Sequence, residues 1–253
     1  MKKLIPLLYL VIAAGCSTID FQIGFPSDVD RSSFTRYEVA EIPFVSAPIS
    51  RAEFGPYSVN LVRYGLDKKR TIDNGFSTDT VKAAVSEKYT YELRGLGKSI
   101  WSGECESSAE YYSKEKGIFF STVVDGYYRN IFKCRFSSTG QTPIELQIEV
   151  NETYTDQSQP GFKKGYLRSG SIQLNIERTT ATGNVSAVPM HIGYYIYHKG
   201  ELVAVVQNQV HGNVYISSTL DRKLLPLVVN AAAAILTYYD LESEVLDDGD
   251  DEN

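Results

Sequence analysis

Few residues in this 253-residue chain have the types and spacing that chemistry needs. Of its three cysteines, Cys105 and Cys134 form an even pair once Cys16 is set aside. In an oxidising compartment such a pair reads as a disulfide, with two buried free thiols as the alternative. The local pattern adds a caution. Asp125-Gly126, between Ile118–Val124 and Tyr127–Phe136, has the composition of a two-residue hairpin turn, and that register sets Cys134 opposite Gly117. If the strand ending at Cys105 pairs with the far side of Ile118–Val124, Cys105 stands two strands from Cys134, roughly 9–10 Å away and beyond disulfide reach; the disulfide remains the favoured reading.

The three histidines, His191, His198 and His211, fall in the last hairpins. His198 and His211 lie at opposite ends of Leu202–Val210, so they read as scattered surface residues and no metal site is assigned. Asp247–Asn253 has the acid content of a calcium loop but stops before the bidentate Glu such a loop needs at its twelfth position. It reads as a solvated, disordered tail. Nucleophile elbow, zinc-protease helix, phosphate-cradling glycine loop and Cys-x-x-Cys are all missing, so no catalytic residue and no cofactor is assigned. A carboxylate pair acting with one histidine is the remaining catalytic option. Tyr111-Tyr112, Tyr127-Tyr128 and Tyr194-Tyr195 each set one ring on either face of a strand, with core or rim packing favoured over a binding patch.

The richest signal is at the amino terminus. Lys2 and Lys3 precede eleven apolar or small residues, Leu4 to Ala14, the length of a signal-peptide core and short of the ~20 a spanning helix needs. The run ends in Ala13-Ala14-Gly15-Cys16, which resembles the lipobox of bacterial lipoproteins, with Ala13 where the family usually has Leu. The resemblance implies cleavage between Gly15 and Cys16, acylation of the Cys16 thiol and amine, and attachment to a membrane through those chains. Two or more acyl chains anchor stably where one is marginal, because each buried CH₂ contributes ~0.8 kcal/mol. In Gram-negative members an Asp after the cysteine retains the protein at the inner membrane, so Ser17 points to the outer membrane for a source of that kind.

Charge narrows the partners. Residues 240–253 hold eight acids and no base, which leaves the body of this −6 chain formally balanced and without the basic stripe that nucleic-acid binding requires. Tyr 18 and Phe 11 against Met 2, with short Val, Ile and Thr runs, are the composition of a mainly β protein. Eleven strands are expected, around Phe34–Ile42, Ser58–Tyr64, Tyr89–Leu93, Ser99–Glu106, Ile118–Val124, Tyr127–Phe136, Ile144–Val150, Ser171–Arg178, Ile192–His198, Leu202–Val210 and Val214–Ser217. Ile144, Leu146, Ile148 and Val150 alternate with polar residues and define one buried face, as do Ile172, Leu174 and Ile176. Lys199-Gly200 is a tight hairpin. A short helix is expected at Asp79–Glu87, with Val81, Ala84 and Val85 inward.

Leu220–Leu241 breaks the pattern. Its four alanines, Ala231–Ala234, sit among Leu, Val and Ile on all sides, so it reads as a helix buried all round, with Asp221 at its start and Pro226 in its first turn. A second membrane span is the rival, though Leu224–Tyr239 is only sixteen residues and contains Pro226 and Asn230.

A meander of antiparallel strands ending in one apolar helix resembles the tubby and phospholipid-scramblase superfamily. Gly193–Ala204, Val214-Tyr215-Ile216 and Leu224–Tyr239 carry the likeness. The resemblance implies a barrel of about twelve strands closed around the helix; the lipid-headgroup patch of tubby proteins has no counterpart here, so their ligand is not carried over. The expected layout is a signal peptide at 1–15, a lipid-anchored tether at 16–33, one β-rich domain at 34–241 and an acidic tail at 242–253. Anchor, fold and missing chemistry together imply a non-enzymatic envelope protein that binds an envelope component or partner protein. Lipid binding or transfer is the first alternative and an envelope hydrolase the second.

Overall fold

In Ile144–Thr153 the residues Ile144, Leu146, Ile148 and Val150 are all buried while their neighbours face outward, so period-two patterning fixes which side of this strand meets the core. The same rule holds in Ile172–Thr179, whereas Gly193–His198, Glu201–Gln207 and Asn213–Ser217 are buried on both faces. The computed structural model describes residues 23–40, 49–74, 78–116, 122–153, 163–179, 193–208, 212–238 and 241.

Twelve antiparallel strands close a barrel: β1 Phe34–Ala40, β2 Ile49–Phe54, β3 Tyr57–Asn74, β4 Thr78–Leu96, β5 Ser99–Lys116, β6 Thr122–Ser137, β7 Ile144–Thr153, β8 Lys163–Ser169, β9 Ile172–Thr179, β10 Gly193–His198, β11 Glu201–Gln207 and β12 Asn213–Ser217. Each strand pairs with its neighbours in sequence, and β12 pairs with β1 from Phe34↔Ser217 to Glu38↔Asn213 to complete the ring. Closure leaves the barrel itself no edges. The helix α1, Leu225–Thr237, runs inside it, with every residue from Leu227 to Thr237 buried. Sequence and structure therefore agree on a mainly β closed antiparallel barrel around one C-terminal helix. At thirteen residues α1 is too short to span a membrane, and no described helix is long and apolar enough to do so.

Strands β3 to β6 run 16 to 19 residues, against 5 to 8 for β9 to β12. The surplus projects past the barrel mouth as a four-stranded wing. Partner β2 stops pairing with β3 at Val62, and from Leu66 to Asn74 the described partner of β3 is β4 alone. Gly65, at φ +93°, lies in a bulge between Arg63 and Leu66 where barrel passes into wing.

Two expectations need correction. Asp79–Glu87 is strand, not helix: Val81, Ala83 and Val85 also alternate at period two, and pairing with β3 and β5 on both sides decides for strand. Asp125-Gly126 is not a turn. It lies inside β6, where the register shifts at Lys114/Glu115, so the glycine beside the acid marks a bulge rather than a reversal. Consequently β5 pairs directly with β6, Cys105 is opposite Cys134, and a disulfide joins them. Two strands, β2 and β8, were not expected.

Candidate functional site

The barrel interior is the natural place for a ligand in such a fold, and α1 occupies it. Ala231–Ala234 are fully buried, and their small side chains let the helix backbone approach β11, where Ala204 and Val206 are buried in turn. Interior packing at native density leaves little spare volume around such a helix. Pro226 falls in the first turn, where its missing N–H costs nothing, and Leu224 rather than Asp221 is the cap residue. Asp221 acts one turn earlier, its carbonyl accepting from Leu224 N–H at 2.8 Å and its carboxylate from Lys223 N–H at 2.9 Å.

Where α1 ends, at the wing side of the barrel, a charged pair is buried. Arg63 lies on the inward face with Val59 and Leu61, and Glu87 with Val85 and Tyr89; their side chains are 5% and 2% exposed and meet at 2.6 Å. Arg63 Nη2 also donates to the Thr237 carbonyl at 2.8 Å, and its guanidinium stands 5.2 Å from the Tyr89 ring. A cation is thus placed at the negative end of the helix dipole. Thr237 Oγ1 donates back to Ala233 O at 2.9 Å, the Tyr89 hydroxyl lies 3.2 Å from that Oγ1, and Tyr91 donates to Asn230 O at 3.3 Å. Burial raises both phenols above their ordinary range, and for Tyr91 the neighbouring Tyr89 adds to it. Beside them the Asn130 amide donates to Tyr128 and Tyr238 hydroxyls at 3.0 and 2.8 Å. This network pins the helix terminus, while Arg63 Nε, Glu87 Oε2 and Asn230 Oδ1 are buried within it without a hydrogen-bond partner among the described residues.

The opposite wall is covered from outside. Ile23, Phe25 and Phe34 pack over Tyr195, Val205 and Tyr215, which explains why β10 to β12 are buried on both faces. Tyr195 donates to Gly24 O at 2.8 Å, Arg31 donates to Tyr215 Oη at 2.6 Å, and a Cβ on Gly193 would meet Ile23 Cδ1 at 2.7 Å and Val206 O at 2.1 Å. The segment expected as a free tether is therefore, from Ile23 onward, a strap laid on the barrel.

What remains open is surface. A groove of about 490 Å³ crosses the outer face of β3 to β8 above the disulfide, bounded by Tyr64 and Tyr166. Five inter-strand spacings of ~4.8 Å separate those two tyrosines, a span of about 24 Å. Tyr64 is 67% exposed. The groove floor carries both signs of charge, among them Lys88 and Glu106 at 3.5 Å, Lys133 and Arg135. Tyr166 donates to Gln147 at 3.2 Å with the Arg168 guanidinium 4.4 Å from its ring, so its orientation is fixed. Such a surface suits an extended polar ligand that stacks at its ends. A larger cleft, about 1000 Å³, opens at the far end of the barrel beside Leu224, between the strap and the Lys199-Gly200 turn.

Neither site brings a nucleophile to a base. Of the histidines, His198 lines the far cleft, while His191 and His211 lie outside the described residues, as do Gly15, Cys16, Ser17 and the Asp247–Asn253 tail. Among the described residues no cluster of His, Cys, Asp or Glu could hold a metal. Of the paired tyrosines, Tyr128 and Tyr194 are core, Tyr195 lies under the strap, and Tyr112 and Tyr127 stack outside at 5.7 Å between centroids. Sequence reasoning missed the Arg63–Glu87 pair and the groove. Arg63 had a usable signal, since alternation with Val59 and Leu61 puts it on the buried face; Glu87 was hidden by the helix reading. Compared with protein-family models, curated proteins and solved structures, the chain matches none of them.

Proposed function

We propose that this chain is a lipid-anchored protein of the bacterial envelope, attached through acylated Cys16, whose barrel binds an envelope component or partner protein on its outer wall without catalysing a reaction. The single observation that carries the binding half is the filled lumen. A lipid carrier built on this fold needs an apolar cavity, and the fully buried Ala231–Ala234 stretch of α1 takes that volume. The groove between Tyr64 and Tyr166 is then the concave surface with the chemistry for recognition, and its mixed charges favour a polar, extended ligand over an acyl chain. The anchor half rests on Lys2-Lys3, the apolar run and Ala13-Ala14-Gly15-Cys16. The closed antiparallel barrel around one apolar helix supports the likeness to the tubby and scramblase superfamily in fold, and function is argued from the surface instead.

The two halves are tested separately. Cys16→Ala should shift the protein out of the carbonate-washed membrane pellet with its melting curve unchanged; complete retention in the pellet would remove the anchor. A photoactivatable residue replacing Tyr64 in cells should capture one discrete adduct. The same probe at Ile100, exposed at the start of β5 and outside the groove lining, should not; equal capture at both would remove the groove.

A further inference from the structure

A second buried cluster lies on the inner face of the wing and of β7 beside it. Ala83, Val85, Ala109, Tyr128 and Val150 are at most 8% exposed, although they form a cluster separate from the one around α1. With them packs Leu241, itself 0% exposed and four residues past the end of α1. The chain thus leaves the barrel mouth and turns onto the inner face of the wing.

That face continues with charge and with an orphan. Lys68 is the cross-strand partner of Val85 and Arg70 of Ala83, so both basic residues share the inner face with the patch under Leu241, one strand spacing away, and both are exposed. Ser113, further out on the same face of β5, is 1% exposed and its hydroxyl has no hydrogen-bond partner. After Leu241 the sequence reads Glu242-Ser243-Glu244-Val245-Leu246-Asp247-Asp248 and ends in further acids. In an extended segment Leu241, Ser243 and Val245 share one side while Glu242 and Glu244 share the other. At ~3.4 Å per residue, Glu242 and Glu244 come within about 3 and 10 Å of the Leu241 backbone, which brings Lys68 and Arg70 into reach.

We propose that residues 242–253 dock along the inner face of the wing, aliphatic side chains toward the sheet where they extend the Leu241 patch and acids on the segment's outer side, met there by the long side chains of Lys68 and Arg70 rising beside it, so that the wing is a peptide-binding surface occupied by the chain's own acidic end. On this proposal the tail is held on the wing rather than solvated, independently of the membrane anchor. An acidic, aliphatic segment of a partner is the chemistry that would displace it.

The test is amide hydrogen exchange over 242–248 in the full chain at low salt, compared with a free peptide of the same sequence. At least tenfold protection is expected, lost in the K68E/R70E double variant and at about 0.5 M salt, where the screening length falls to a few Å. Lys69→Glu, on the opposite face of β3, should leave the protection unchanged. Adding E242K/E244K to K68E/R70E should restore it, which also guards against a charge reversal that merely harms folding. Exchange at the free-peptide rate in the unmodified chain would overturn the proposal, as would protection indifferent to both salt and charge reversal.

Discussion

Removing the charge of Glu87 should cost more than removing the whole Arg63–Glu87 pair. The carboxylate and guanidinium meet at 2.6 Å with almost no solvent access, and Glu87→Gln keeps the shape while leaving the Arg63 charge buried without a counter-charge. Breaking one partner of such a pair costs about 3–5 kcal/mol, whereas replacing both by apolar groups of similar size is often near neutral. Here the double replacement Arg63→Met/Glu87→Leu also loses the 2.8 Å bond from Arg63 to the Thr237 carbonyl. A hydrogen bond to a charged donor contributes about 1.5–3 kcal/mol and the dipole term about 0.3–1. The double variant should therefore lose about 2–4 kcal/mol and each single variant about 3–5, a coupling of several kcal/mol. Urea unfolding at pH 7, read by both fluorescence and circular dichroism, gives the cycle. A Glu87→Gln loss below about 1 kcal/mol, with a double variant equal to the sum of the singles, would refute the claim that this pair is desolvated and holds the helix end.

Three further outcomes follow from the same packing. Ala232→Asp places a carboxylate where the side chain is fully buried, so the domain should unfold or lose several kcal/mol in a melting experiment, while an unchanged curve would exclude a helix inside the barrel. Tyr89 and Tyr91 have phenols raised by burial, so their contribution is complete below pH ~10, where the unfolded phenol begins to ionise, and falls as pH rises, by up to ~1.4 kcal/mol per unit for each. Urea midpoints from pH 8 to 11.5 should drop, and less so in Tyr89→Phe and Tyr91→Phe. Replacing both Cys105 and Cys134 by Ala opens a loop of 29 residues in sequence and should cost at most about 3–4 kcal/mol, measured as a shift in midpoint that reducing agent reproduces in the unmodified protein.

The parts of the fold legible in advance are those with a strong local period or composition. β7 and β9 announced themselves by faultless alternation, α1 by its alanine run, and the β10–β11 turn by Lys199-Gly200, where φ is +51° and +86°. β8 was missed because only Leu167 among its described side chains is buried; its neighbours, not its sequence, make it a strand. The wing strands read as shorter pieces because β3 is exposed from Leu66 to Asp73, the Asp79–Glu87 part of β4 also fits a helix, and Asp125-Gly126 breaks β6 in two. The disulfide is legible from the cysteine count, and the caution drawn from Asp125-Gly126 fails because a bulge and a turn draw on the same residues. The strap at Ile23–Phe34 has no period at all, and its apolar residues find partners distant in sequence. The groove belongs to no motif, because outward residues from six consecutive strands converge only once the sheet curls.

The central claim is that α1 seals the barrel and leaves recognition to the outer wall. Native mass spectrometry with lipid extraction tests it most directly, on a Cys16→Ser protein exported with a cleavable secretory signal and purified without detergent. The account predicts the mass of the bare chain and no extractable lipid. A stoichiometric bound lipid would contradict it and move the binding site to a pocket beside the helix.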